Sequence, residues 1–422
     1  AVDENGEVYK YRREESVQIE RVQTDDFEPY DYVVPFDLHS DRLYRFYIVT
    51  TPSEKILFYD IHHIVFDGIS NAVLLADINR AYRGIELLPE TFTADDFSLE
   101  EVERLGGDDY RKAKAYYQKT FDGVDIDTAF YTDKNEREHS AKELIYRFER
   151  IDSDSLKALA EKHGVKLSSV FNAAFAYLLS KHCNSAQVLY STVHHGRDQR
   201  LQNAVGMFVK TYPVFADLSA DKEIGAYLKD LDSHITLNRE NDLYSFADFC
   251  ADTKLNPTVL FAYQGDMFTE TELADAKCRV ELLPMKDAKS GFELTIRRSN
   301  GRFIAYAEYD MSLYNDDIVM MMLESLDKIL CDMQTVETLS EIDMLTDHQL
   351  RLLDENNHYE NDCEITDIVT LFRRSAEKFP ENIAVVFKDK RFTYQEIDRI
   401  SEFQPTTAQV LRTLTHTVIY PA

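Results

Sequence analysis

The sequence predicts a mixed α/β protein, an α+β arrangement of layered sheets covered by helices, organised as two main lobes. Three observations carry this. The chain has 422 residues, more than one ordinary core organises. Short β-like runs and amphipathic helical runs intermingle along both halves, which favours helix-covered sheets over bundles or sandwiches. The composition is 44% hydrophobic and 29% charged, and no apolar run approaches the ~20 residues that span a bilayer.

In chain order, β-like runs at 7–11, 17–22 and 43–49 alternate with acidic loops. A further run at 55–62 leads straight into a pair of histidines. Beyond Asp67-Gly68, Leu74, Leu75, Ile78, Ala81 and Tyr82 recur at helical spacing, and Gly84 is suited to end that helix in the left-handed conformation. An acidic, turn-rich stretch and a helical run at 109–119 follow, and the first lobe is expected to occupy 1–148. The second, 149–335, opens with a helix N-capped by Ser153 and ended by Gly164, then a helix from Ser168 with Val170, Phe171, Ala174, Phe175, Leu178 and Leu179 on one face. Strands are expected at 188–193, 207–215, 258–263, 292–297 and 303–309. Asn315 is positioned to cap a long helix striped by Ile318, Met322, Leu326, Ile329 and Met333. Residues 336–365 read as an acidic linker with one short helix at 347–356. Residues 366–422 hold an amphipathic helix and a β run at 383–387, too little for a core alone.

Charge narrows the function. With 47 basic and 76 acidic residues the formal charge is −29, which opposes binding to nucleic acid or anionic membrane surfaces. Five scattered cysteines lack metal-ligand spacing and read as thiols of a reducing, cytoplasmic setting. No initiator Met is present, as in a piece of a longer chain.

The chemistry concentrates at His62-His63-Ile64-Val65-Phe66-Asp67-Gly68. Strand alternation sends adjacent histidines to opposite faces, so the two have different roles. Histidine as a residue type titrates near ~6.5 and suits proton transfer at neutral pH. Asp67 is placed to fix the local turn rather than to act as a nucleophile, and no Ser or Cys stands in a nucleophile-elbow setting beside it, which favours direct transfer between two bound substrates. A purely structural role for the pair, or metal ligation, remains open on these residues, although no third metal ligand stands at a diagnostic spacing.

The run resembles the HHxxxDG signature of condensation domains of nonribosomal peptide synthetases and of chloramphenicol-acetyltransferase-like acyltransferases. Pro35-Phe36-Asp37-Leu38 with Leu43-Tyr44-Arg45, then Gly196-Arg197 with 205–214, and Tyr309-Asp310-Met311-Ser312-Leu313-Tyr314 resemble further condensation-domain segments in the family's order. Leu371-Phe372, 379–385 and 392–397 look like the opening of an adenylation domain. The resemblance implies two chloramphenicol-acetyltransferase-like lobes in a V, the first incomplete at its start, with His63 at the floor of a tunnel between them. It implies amide-bond formation between a donor acyl or peptidyl thioester and an acceptor aminoacyl thioester. His63 would be catalytic, His62, Asp67 and Gly68 would support the motif, and Gly196, Arg197, Gly206 and Thr211 would line the substrate channel. No metal or directly bound cofactor is implied; phosphopantetheine arms come from upstream and downstream peptidyl carrier domains, and an adenylation domain adjoins.

The chain departs from the family pattern in ways that yield expectations. Neither of the family's opening segments precedes Pro35, and one of them normally supplies an arginine to the motif aspartate, so Asp67 is expected to lack its partner and the chain to lose stability. Lys210 and Phe215 stand where the family has Asn and Arg. The pair His194-His195, without a following Asp-Gly, is expected to be non-catalytic, and Asp95, Asp96, Glu100 and Glu101 to form a solvated face. The alternatives are an epimerization domain, a free CoA-dependent acyltransferase, and an inactive truncated remnant. Epimerization domains carry a Trp after the motif, whereas this chain has none; a free acyltransferase leaves the adenylation-like tail unexplained.

Overall fold

The computed structural model describes residues 16–402 apart from 127, 129, 131, 133–139, 267–269, 274–275, 285–289, 300, 358–366 and 389. The β run expected at 7–11 lies outside these. The chain divides into two compact units, Ala1–Arg351 and Leu352–Ala422.

The first unit opens with a three-stranded sheet. β1 (Ile19–Gln23) pairs in parallel with β2 (Tyr44–Thr50), which pairs antiparallel with β3 (Lys55–Ile61) in the register Tyr44 to Ile61. Aromatic pairs bind its two faces, Phe46 with Tyr59 and Tyr47 with Phe58, the latter joined by Tyr32 and Phe27. Val49 is the one fully buried side chain of this small sheet's described residues. α1 (Gly68–Tyr82) follows, and Gly84 sits in the left-handed region beyond it, as expected. The acidic stretch contains a helix that the hydrophobic pattern did not reveal, α2 (Ala94–Leu105), started by a reciprocal Thr93–Asp96 capping box. α3 (Asp108–Thr120) packs Ala113 and Tyr117 against Phe121, Leu189, Tyr244 and Phe249.

The main core lies further along. β4 (Ala141–Arg147) leads into α4 (Ser153–His163), whose N-cap is Asp152 rather than Ser153: the Asp152 carboxylate accepts from the amides of Asp154 and Ser155. α5 (Leu167–His182) is buried at every position from Ser169 to Ser180, because sheet and helices enclose it on all sides. β5 (Gln187–His194), β6 (Lys210–Asp217), α6 (Ile224–Glu240), α7 (Phe246–Thr253), β7 (Val259–Asp266), β8 (Glu270–Leu273), β9 (Ala276–Arg279), β10 (Phe292–Ser299), β11 (Arg302–Asp310) and α8 (Asp316–Asp332) follow, and the boundary after Arg351 falls within α9 (Asp347–Asn357). The large sheet runs β4-β11-β10-β7-β5-β6. β6 starts three residues later than the β-like run at 207–215, because Phe208 leaves the ladder to pack with Leu201 and Ala204. β4, inside the stretch expected for the first lobe, is an edge strand of this second sheet.

Phe171 and Phe175 of α5 meet Phe303 and Phe261 of the sheet at 4.8 Å each. Burial of each such side chain stabilises by roughly 1.5–3 kcal/mol. Residues 336–346, read from the sequence as the start of a linker, dock here too: Leu339 and Ile342 are buried, and the Tyr177 hydroxyl is shared between their carbonyls at 3.2 Å each. The β8-β9 hairpin reaches from between β7 and β10 to lie against α1, and the Tyr30 hydroxyl donates to the Pro284 carbonyl at 2.8 Å. Two distant parts of the chain are thereby tied together.

The second unit contains α10 (Ile368–Lys378), the antiparallel hairpin of β12 (Ile383–Phe387) and β13 (Lys390–Thr393), and α11 (Tyr394–Glu402). Ala376 is its one buried residue among those described. Among the described residues no helix is long and apolar enough to cross a membrane.

Candidate active site

The histidine motif forms where β3 ends. His62 is still extended, and its amide donates to the Leu43 carbonyl at 2.9 Å. His63–Val65 then make one turn of 3-10 helix, so strand alternation stops at His62 and the turn decides where His63 points. The His62 Nδ1 accepts from the Ile64 amide at 3.0 Å, which caps the turn and leaves the neutral ring's proton on Nε2. His62 also meets the Phe36 ring edge-on at 5.8 Å, and Arg45 lies 3.8 Å over that same ring. Arg45 in turn pairs with Asp60 at 3.0 Å and donates to the Val34 carbonyl. Burial raises the Asp60 carboxyl, with the Arg45 guanidinium opposing the shift. The residues of the 35–45 lead-in therefore brace His62.

His63 has the opposite arrangement. Its Nδ1 lies 2.6 Å from the Phe66 carbonyl, and the ring is exposed. A carbonyl only accepts, so Nδ1 carries the proton and Nε2 of the neutral ring keeps a free lone pair. Gly68, the first residue of α1, is exposed, and a Cβ built there meets nothing within 4 Å.

Asp67 caps α1 through a 2.7 Å bond from the Ser70 amide. It does not lack an arginine. Arg197, expected on a channel wall, donates to the Asp67 Oδ1 at 2.7 Å, with the two side chains 3% and 1% exposed. The expectation of an unpartnered Asp67 is thus overturned: the loop after β5 brings in a guanidinium that sequence separation conceals. Arg197 also donates to the Ser70 hydroxyl (2.9 Å) and to the carbonyls of Leu201 (2.7 Å) and Ala204 (2.6 Å), and it lies 4.4 Å over the Phe208 ring.

Gly206 belongs to the same buried knot, its amide and carbonyl both bonded to the Ser70 hydroxyl. Gly196 holds φ +58°, and a Cβ there would stand 1.9 Å from the Phe208 carbonyl oxygen, so only glycine fits. Thr211 is separate: half-buried in β6, opposite Val193 of β5. The sequence assigns Ser70 and Phe208 no role by motif; the available signal for Ser70 is a serine at the third position of a helix that follows an Asp N-cap.

Glu100 and Glu101 are not simply solvated. Glu100 makes a bidentate contact with Arg200 at 2.9 and 3.0 Å, and Glu101 pairs with Lys210. Beside Arg197 lies a cavity of about 230 Å³ whose walls include His194 and His195 but not His63. Among the described residues no cluster suited to holding a metal ion is present.

Residues 7–353 match the family model described as Condensation domain. The chain is 26% identical over 389 residues to Gramicidin S synthase 2 of Brevibacillus brevis, covering 87% of this chain and 9% of that protein. It is 29% identical over 390 residues to Bacitracin synthase 3 of Bacillus licheniformis, covering 87% and 6%. The chain thus spans less than a tenth of these relatives. Among solved structures, a four-domain nonribosomal peptide synthetase bound to AMP and glycine superposes with TM-score 0.69 at 16% identity, covering 96% of this chain and 33% of that one. The first condensation domain of the calcium-dependent antibiotic synthetase, in complex with a substrate analogue, gives 0.62 at 14% identity, covering 82% and 80%.

Proposed function

The chain belongs to the condensation-domain family, and from that premise we propose that it forms an amide bond between a donor acyl or peptidyl thioester and an acceptor aminoacyl thioester, with His63 as the catalytic base. Condensation domains of nonribosomal peptide synthetases catalyse this acyl transfer. The observation that carries the residue assignment is the 2.6 Å contact between the His63 Nδ1 and the Phe66 carbonyl, which leaves Nε2 bare on an exposed ring.

The acceptor nitrogen attacks the donor carbonyl carbon and forms the C–N bond. The tetrahedral centre then collapses with loss of the C–S bond, and the donor arm leaves as a thiol. The His63 Nε2 orients the amine, takes its proton and returns it to the leaving sulfur. Holding two tethered reactants together contributes more than the base, because a thioester is already activated. Gly68 leaves room for the thioester, while His62, Asp67 and Arg197 hold the turn. The arms are phosphopantetheine chains on upstream and downstream carrier domains, and they reach His63 between two lobes set in a V. The adjoining adenylation domain begins at residue 366, inside the second unit, a reading supported by the 96% coverage of this chain by the four-domain synthetase. The four described cysteines form no disulfide, in keeping with the reducing, cytoplasmic setting we propose.

The test is a two-carrier condensation assay read by intact-protein mass spectrometry, without ATP and with EDTA. His63→Ala should lose about 10²–10⁴-fold in turnover, and His62→Ala should act through the amount of folded protein. Equal losses in two folded variants would refute the division of roles. Product from acyl-CoA with no carrier-bound amide would refute the reaction class.

A further inference from the structure

We propose that the cavity beside the Asp67–Arg197 pair is a subsite for a carboxylate carried by one of the two acyl substrates, and that Arg239 selects it. The proposal rests on the amide-forming reading above and adds the substrate class.

The cavity of about 230 Å³ is walled in part by His194, His195, Arg197, Lys210, Arg239 and Asp242. That is several times the roughly 30 Å³ share of one water, enough for a carboxylate with its methylenes. Arg197 is common to this wall and to the knot around Asp67, four residues after His63. The cavity therefore borders the catalytic turn.

Every Arg and Lys of its wall but one has a carboxylate within 4.0 Å. Arg197 is paired with Asp67, Lys210 with Glu101, Arg200 with Glu100 and Asp198, and Arg104 stands 3.9 Å from Asp109. Asp242 stands 2.9 Å from the His194 Nε2, without the alignment of a hydrogen bond. Arg239, in the last turn of α6, has no carboxylate of the described residues within ion-pairing distance, and its Nε is buried without an acceptor. A partly desolvated guanidinium with no counter-charge is costly until an anion joins it.

A second donor stands beside it. The His195 Nδ1 accepts from the Arg197 amide at 3.0 Å, so the neutral ring carries its proton on Nε2. Burial, then the neighbouring His194, Arg239 and Arg197, keep that ring below its usual titration range and hence neutral. The acidic walls at Glu100, Glu101 and Asp242 favour a singly charged carboxylate over a dianionic phosphate.

The experiment compares glutamyl- with glutaminyl-loaded carriers, each offered as donor and as acceptor. The expected result is a kcat/KM ratio favouring glutamyl by about tenfold or more in one of the two positions. The ratio should fall to near unity in Arg239→Met and be largely kept in Arg239→Lys. A ratio near unity in both positions, or one unchanged by Arg239→Met, overturns the subsite. Turnover of the glutaminyl substrate reports amide formation independently, so a chain that couples both substrates without preference sinks only the subsite. Should no pair couple, titration of the unmodified chain with the α-amides of N-acetylglutamate and N-acetylglutamine, which differ only in the side-chain carboxylate, decides: binding of the former alone, lost in Arg239→Met, supports the subsite, and no binding overturns it.

Discussion

Replacing Arg197 by Met tests whether one buried ion pair joins the histidine turn to the rest of the unit. The Arg197 guanidinium makes four hydrogen bonds, to Asp67, Ser70 and the carbonyls of Leu201 and Ala204, all between 2.6 and 2.9 Å. Met keeps the aliphatic stem but leaves the Asp67 carboxylate buried, with only the amides of Ser70 and Phe208. Stranding one member of a buried pair costs about 3–5 kcal/mol. Two carbonyls that lose their donor add to this, since an unmet buried acceptor costs roughly 1–3 kcal/mol. Against a total stability of about 5–15 kcal/mol, the loss is large. Urea unfolding followed by far-UV circular dichroism reads it; no Trp is present, and the 25 tyrosines give a second probe. The midpoint should fall while the slope stays constant. Asp67→Asn with Arg197→Met should cost less than the sum of the single changes, by roughly 2 kcal/mol. A single variant within 1 kcal/mol of wild type, or strict additivity of the pair, would refute the reasoning.

Three further outcomes rest on glycine geometry and on a buried imidazole. Gly68→Val meets open space and should change stability by no more than about 0.5 kcal/mol, yet lower condensation turnover more than about tenfold if the thioester passes there; unchanged turnover argues against that path. Gly196→Ala should cost at least about 1–3 kcal/mol from the left-handed backbone alone, with the contact to the Phe208 carbonyl added, and calorimetry would show it. Burial holds His234 down to about 4, and its Nε2 accepts from the Phe215 amide at 3.1 Å. Because the unfolded chain binds this proton more readily, stability present above pH 6.5 should drain away as pH falls toward 4. The loss amounts to about 3 kcal/mol in full. His234→Gln should flatten that slope in part, since His163 and His182 are also lowered by burial; an unchanged slope counts against His234.

The sequence alone determined whatever depends on near neighbours and on periodicity. The stripe of α8, the apolar face of α5, the left-handed stops at Gly84 and Gly164 and the strand leading into His62 are local patterns, and each forms. The ordered motifs from Pro35 to Tyr314 pointed to the family that the match over 7–353 establishes. α2 escaped notice because its apolar pattern is weak, although the Thr93–Asp96 capping box lay in the sequence. Only the tertiary structure decided the partner of Asp67. Arg197 lies 130 residues away, and its burial is settled by Ser70 of α1 converging with Gly206 and Phe208 of the segment before β6. Position in the chain does not say which charges lose their water together, and it is shared desolvation that makes one guanidinium a structural tie and leaves another, Arg239, facing a cavity without a counter-charge.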